Sequence, residues 1–167
     1  MSENRRPKAS RPNMPGYGLL GAHEGRGLLP WSWASERLSQ ARTYWIATTR
    51  PDGRPHAAPV WGVWLTDGFY FSTGDASRKR RNLASNPHCV IAVQHGDDAV
   101  IVEGLARRVI DPDLLRSFSG AYALKYQWDM SAFAEPVYSV SPQVAFGFSS
   151  AAGEFTGSAT RWVFGEE

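Results

Sequence analysis

RPDGRPHAAPVWGVWLTDGFYFSTGDASRKRRNL, residues Arg50 to Leu83, carries two turn signals and a run of cations in one stretch. The turn Pro51-Asp52-Gly53 launches an apolar strand, Pro55 to Thr66, that ends at a second turn, Asp67-Gly68. The return strand, Phe69 to Thr73, leads into a helix from Ser77 to Ser85 that opens with Arg78-Lys79-Arg80-Arg81. A hairpin that delivers the hydroxyls of Ser72 and Thr73 to a cationic helix start is a place to hold an anion. The unpaired N–H groups of the first helical turn add their own donors there. Four consecutive cations more often form a solvated face, but their position just after Ser72-Thr73 concentrates donors and charge in one spot. Not all four side chains can face one way on a helix, so Arg78 and Lys79 are favoured over Arg80.

Within the outgoing strand, His56, Ala58, Val60, Gly62 and Trp64 share one side, and Ala57, Pro59, Trp61, Val63 and Leu65 share the other. Neither side is polar, so both are expected to be covered. Pro59 marks an edge, a bulge or a place where something other than a strand meets the backbone. Gly62 permits a close approach.

Upstream, Met1 to Leu29 is rich in Gly, Pro, Arg and Ser without periodicity, and reads as a flexible arm, with residues 30–167 as one domain. Trp31, Ala34, Leu38, Ala41 and Trp45 then follow helical spacing after Pro30, with the helix ending near Arg42. Thr43 to Thr49 is β-branched and aromatic, hence a strand. Downstream of Asn86-Pro87, His88 to Gln94 and Ala99 to Ile110 form a second hairpin. Asp111-Pro112 starts a helix whose apolar set includes Leu114, Leu115, Phe118, Ala121, Tyr122 and Leu124. Val137 to Phe148 returns to strand, interrupted at Ser141-Pro142, and Thr160 to Phe164 is too apolar for a disordered tail. Tight turns join most successive strands, so the expected class is mainly β: an antiparallel barrel or sandwich with peripheral helices. Apolar residues on both strand faces favour burial by dimerisation.

The chain's 167 residues suit one domain, and a net charge of +2 does not call for nucleic acid. Cys89 is the single cysteine, which excludes an intrachain disulfide and reads as a buried, inert thiol. No apolar run is long enough for a membrane span and the basic N-terminus lacks a secretory h-region, so the cytoplasm is expected. The four histidines, His23, His56, His88 and His95, make no i, i+4 pair, so no metal site is expected. His56 and His88 read as hydrogen-bonded structural residues. No G-x-S-x-G elbow is present. Lys125, Tyr126 and Trp128 are assigned to packing beside the groove, with substrate contact the lesser reading.

GRPHAAPVWGVW, FYFSTGDASRKRRNLASNP, AVIVEGLAR and the closing TRW together resemble the pyridoxamine 5′-phosphate oxidase-like split β-barrel proteins, and among them the flavin/deazaflavin oxidoreductases. The resemblance spans about Trp31 to Phe164. It implies an antiparallel, FMN-binding-like split barrel that forms a homodimer with a cofactor in each interface groove. Carried over by position, Ser72, Thr73, Ser77, Arg78 and Lys79 hold the cofactor phosphate, and the backbone of Pro59, Val60 and Trp61 lies along the ring. Pyridoxamine phosphate oxidases usually carry an Arg and a Lys on the strand that is here Ala58 to Val63, and a Gln where this chain has Ala99. Their absence shifts the expectation to coenzyme F420, with Arg80 and Arg81 as further cations for its polyanionic tail. The implied activity is F420-dependent hydride transfer to a small electron-poor acceptor, with no catalytic side chain assigned. An FMN-binding oxidase or reductase and a non-catalytic flavin or deazaflavin carrier are the alternatives.

Overall fold

A computed structural model describes residues 7–65, 68–130, 132, 134–149 and 154–165. Its elements in chain order are β1 (Lys8–Ser10), α1 (Trp31–Gln40), β2 (Tyr44–Thr49), β3 (Pro55–Val60), β4 (Gly62–Leu65), β5 (Gly68–Ser72), α2 (Arg78–Ser85), β6 (His88–His95), β7 (Asp98–Arg108), α3 (Pro112–Tyr126), β8 (Val137–Phe148), α4 (Phe155–Ser158) and β9 (Thr160–Val163). The hydrogen-bonded path runs β1-β9-β8-β7-β6-β2-β3, with β5 pairing β4 and β8 off that path. By contact density the chain divides into two compact units, and β6, β7 and β8 each contribute residues to both.

The first unit comprises 1–41, 92–103 and 142–167. Its core is aromatic. The Trp162 ring, fully buried, lies edge-on to Trp31 at 5.4 Å, and Trp31 meets Phe164 at 4.9 Å. The segment expected to be a flexible arm is corrected for residues 7–29. Lys8–Ser10 pairs with β9 in antiparallel register, Ala9 opposite Trp162. Arg11 then donates to the carbonyls of Leu20, Gly21, Glu24, Gly157 and Ala159 at 2.8–3.2 Å. Composition alone missed this, because one guanidinium's donors replace the absent apolar periodicity.

The second unit comprises 42–91 and 104–141. The predicted strand Pro55 to Thr66 is two strands. β3 pairs with β2, Val60 opposite Tyr44, and β4 pairs with β5, Gly62 opposite Phe71; Trp61 stands between. Thr66 of the expected strand and Asp67 of the expected turn lie outside the described residues. β3 ends the sheet path, which is where Pro59 can sit without breaking a ladder. Both faces of β3 were expected to be covered, yet Pro55, Ala57 and Pro59 are exposed. The strand after α3 is unbroken through Ser141-Pro142. Trp45, read with the first helix, belongs to β2, since α1 ends at Gln40. The α3 start holds as expected: the Asp111 side chain accepts from the amides of Asp113 and Leu114. Phe118 and Tyr126 of α3 pack with Val63, Tyr70, Val109 and Val137, but Leu114 and Leu124 are exposed.

Candidate functional site

Three local structures of the second unit meet at one cavity of about 560 Å³, lined by Thr43, Pro59, Val60, Trp61, Ser72, Thr73, Gly74, Ser77, Lys79 and Tyr122. The end of β3 and Trp61 supply part of the lining. The β5–α2 loop supplies hydroxyls and a cation, and α3 supplies a phenol.

The loop owes its shape to short hydrogen bonds. Ser72 Oγ donates to the Pro136 carbonyl at 3.1 Å, and the Thr73 amide donates to the same oxygen at 3.2 Å. The hydroxyls of Thr73 and Ser77 share a hydrogen bond at 2.8 Å. Ser77 caps α2, its Oγ accepting from the Arg80 amide at 3.2 Å. The amides of Arg78 and Lys79 lie in the first turn, ahead of the helical ladder, so they face outward from the N-terminus. Glu135 closes the other side of the loop, accepting from the Asp75 amide at 3.2 Å.

The cations separate. Lys79 lines the cavity, and burial pulls its ammonium below the usual lysine range. Among the described residues it forms no ion pair. Arg78, expected beside Lys79, is exposed and does not line the cavity. Arg80 reaches back to Asp75 at 3.3 Å, and Arg81 is exposed. A helix start points successive side chains about 100° apart, so one of the four enters.

Seven of the eight expected site residues (Pro59, Val60, Trp61, Ser72, Thr73, Ser77 and Lys79) thus line one cavity. Thr43, Gly74 and Tyr122 were missed. Tyr122 carried a signal, four residues before Tyr126 on one helix face, but it was assigned to the core. His56 was expected to be hydrogen-bonded; its Nδ1 is buried with no partner among the described residues, and His88 is exposed. Neither histidine lines the cavity. The Cys89 thiol is buried, and burial raises its pKa to about 12, in keeping with an inert thiol. Among the described residues no helix is long and apolar enough to cross a membrane.

Several solved structures share this fold. A conserved hypothetical protein from Mycobacterium tuberculosis superposes with TM-score 0.66 at 19% identity, covering 74% of this chain and 86% of that one. An F420 reductase gives 0.56 at 24% identity over 66% and 94%. HutZ, a heme storage protein from Vibrio cholerae, gives 0.57 at 16% over 67% and 89%. At these identities the likeness is one of fold: mainly antiparallel β with a few helices, of the split-barrel kind. Comparison with curated proteins gave no match. The family profile described as pyridoxamine 5′-phosphate oxidase matches residues 34–146, which spans the β3 wall, the hydroxyl loop and α3, and the chain belongs to that family.

Proposed function

We propose that this protein is an oxidoreductase that binds a flavin-type cofactor in the second unit's cavity, with coenzyme F420 as the cofactor and a small electron-poor molecule as hydride acceptor. The observation that carries this reading is Lys79. It is an ammonium drawn partly out of water, with no ion pair among the described residues, in a cavity that Pro59, Val60 and Trp61 also line. A buried cation without a partner is costly, and a phosphate would supply the missing charge. The similarity in fold to an F420 reductase supports the choice of cofactor. So does the absence of the Arg, Lys and Gln that flavin-binding relatives place along β3, β4 and the start of β7.

The chain's own groups divide the work. Lys79, with the α2 amides of Arg78 and Lys79, would hold the phosphate, and the Thr73–Ser77 hydroxyl pair, with one proton spent between the two oxygens, would add one donor. Ser72 acts through the loop, since its hydroxyl donates to Pro136. The backbone of Pro59, Val60 and Trp61 would give directional partners to a flat ring, and Tyr122 and Trp61 would keep water from it. When bound, the deazaflavin supplies hydride-transfer chemistry that no side chain of the cavity can perform.

A homodimer is part of the proposal. On the outer face of the β2–β3 pair, Trp45 lies opposite Pro59 and Ala47 opposite Ala57. Trp45 is 54% exposed, and Ala57 and Pro59 are exposed with it. An apolar sheet face at the end of a path is a surface that a second copy can cover.

Titration of the apoprotein with F420 and with FMN tests the cofactor. Saturable F420 binding, with reduced F420 consumed when a quinone acceptor is added, supports the reading. Tight FMN binding without F420 binding replaces it with the flavin alternative, and F420 binding without turnover across a broad acceptor panel replaces it with the carrier.

A further inference from the structure

The wall that faces the cavity is held from behind by a residue that does not line it. β3 pairs with β2 through Val60, and β4 pairs with β5 from Gly62, so the chain changes partners across Trp61. Such a change leaves backbone polar groups to be satisfied elsewhere. Here the phenol of Tyr126, at the last turn of α3, satisfies them. The Gly62 amide donates to Tyr126 Oη at 3.0 Å. Tyr126 Oη lies 2.8 Å from the Gly62 carbonyl oxygen and 2.8 Å from that of Arg42. One phenolic proton serves one carbonyl at a time. Lys125 Nζ resolves the conflict by donating to the Gly62 carbonyl at 3.1 Å and to Tyr44 Oη at 2.8 Å, which leaves the phenol proton for Arg42.

The ring of Tyr126 does a second task. It lies parallel to the Trp61 indole, with an interplanar angle of 3° and centroids 4.8 Å apart, and Trp128 meets the same indole edge-on at 6.5 Å. One side chain therefore fixes residue 61 by stacking and residue 62 by hydrogen bonding. A side chain at Gly62 would strain the junction, because a Cβ there would press on the Phe69 ring and lie 2.6 Å from the Tyr70 carbonyl oxygen. Packing alone would need only a phenylalanine at 126; the hydroxyl meets three backbone groups.

We infer that Tyr126, assisted by Lys125, is a positioning residue that sets the course of the Pro59–Trp61 backbone and the plane of Trp61, and through them the seat of the cofactor ring. The inference rests on the cofactor reading above. The phosphate end of the cavity, at Lys79 and the α2 start, is held by other bonds, so loss of the Tyr126 hydroxyl acts on the ring end alone.

Two measurements on the full chain test it, each on wild type, Tyr126→Phe and Lys125→Met. The first is amide hydrogen exchange without cofactor, where Tyr126→Phe should speed exchange at Gly62 by about 10-fold, the scale of one net hydrogen bond, while the β5 amides keep their protection. Unchanged Gly62 protection in Tyr126→Phe overturns the inference whatever the cofactor. The second is titration with F420 and FMN. The cofactor that wild type binds should bind Tyr126→Phe about 10-fold more weakly, with its absorption maximum displaced toward that of the free chromophore. Lost protection with unchanged affinity and spectrum overturns positioning and leaves a structural role. Binding of neither cofactor by wild type overturns the cofactor reading, and with it the ring-seating role, even where Gly62 protection falls. If Tyr126→Phe does not fold, Lys125→Met, which leaves the Gly62 and Arg42 carbonyls to compete for the one phenol proton, is compared in its place by titration, and wild-type affinity and spectrum in that variant reject the inference.

Discussion

At Lys79 two effects oppose one another: burial disfavours the ammonium, and an arriving phosphate restores what burial removes. Replacing it with methionine keeps the stem and deletes the charge. Lys79→Met should lose about 1.5–3 kcal/mol of cofactor affinity, the value of a hydrogen bond to a charged group, whereas Arg78→Met, exposed and outside the lining, should change it by less than about 0.5 kcal/mol. Titration of both variants separates them, and equal losses would refute the division made here between the two cations. Lys125 gives a prediction of another kind. Desolvation, with Arg42 adding repulsion, lowers its pKa to about 8. Between that value and the unfolded one near 10.5, the unfolded chain binds more protons, so stability rises with pH in that window. Tyr44 and Tyr126, both pushed up chiefly by burial, act oppositely: above about pH 10 the unfolded phenols ionise first and stability falls. Urea midpoints should therefore climb from pH 7.5 to 9.5 in wild type, then drop, and Lys125→Met should remove the climb. A wild-type midpoint that is flat or falling from 7.5 to 9.5 contradicts the buried ammonium.

Among the elements, the β3–β4 junction asks most of its residues. Gly62→Ala forces a methyl against the buried Phe69 ring and a backbone oxygen, so it should destabilise by about 1–3 kcal/mol, as overpacking does. Denaturant unfolding checks this, and a wild-type midpoint would mean that the junction gives way easily. The elements themselves were legible to different degrees. Turn chemistry at Pro51-Asp52-Gly53 announced the start of the outgoing strand, and Asp111-Pro112 announced the start of α3, because those residues satisfy local backbone groups whatever lies around them. Of the seven cavity residues, Ser72, Thr73 and Lys79 followed from a hairpin that leads into a cationic helix start, while Pro59, Val60, Trp61 and Ser77 came from the family resemblance. The split at Trp61 was not legible, since β3 pairs back with β2 and β4 pairs forward with β5, and the apolar run from Pro55 to Leu65 carries no polar break between them. Tyr122 and Tyr126 were hidden for a related reason: a tyrosine on an amphipathic helix looks the same whether its ring fills a core or its hydroxyl closes a strand break. Residues 7–29 were misread because Arg11 orders them through carbonyls, and composition does not report carbonyl partners.

For the whole molecule, the two claims beyond a single chain's fold are its assembly and its cofactor. If a second copy covers the Trp45, Ala57 and Pro59 face, Trp45→Asp should shift the mass measured by light scattering from dimer toward monomer, and a wild-type mass in the folded variant rejects that face as the interface. The F420 assignment makes its own demand on the purified chain. The most direct measurement is a titration of the apoprotein and its Lys79→Met variant with F420. Saturation at one site per chain, weakened at least about 10-fold by the substitution, is the predicted result. Wild-type protein that binds neither F420 nor FMN, or a Lys79→Met variant that binds as wild type does, would contradict a cavity built to grip the anionic end of a flat redox coenzyme.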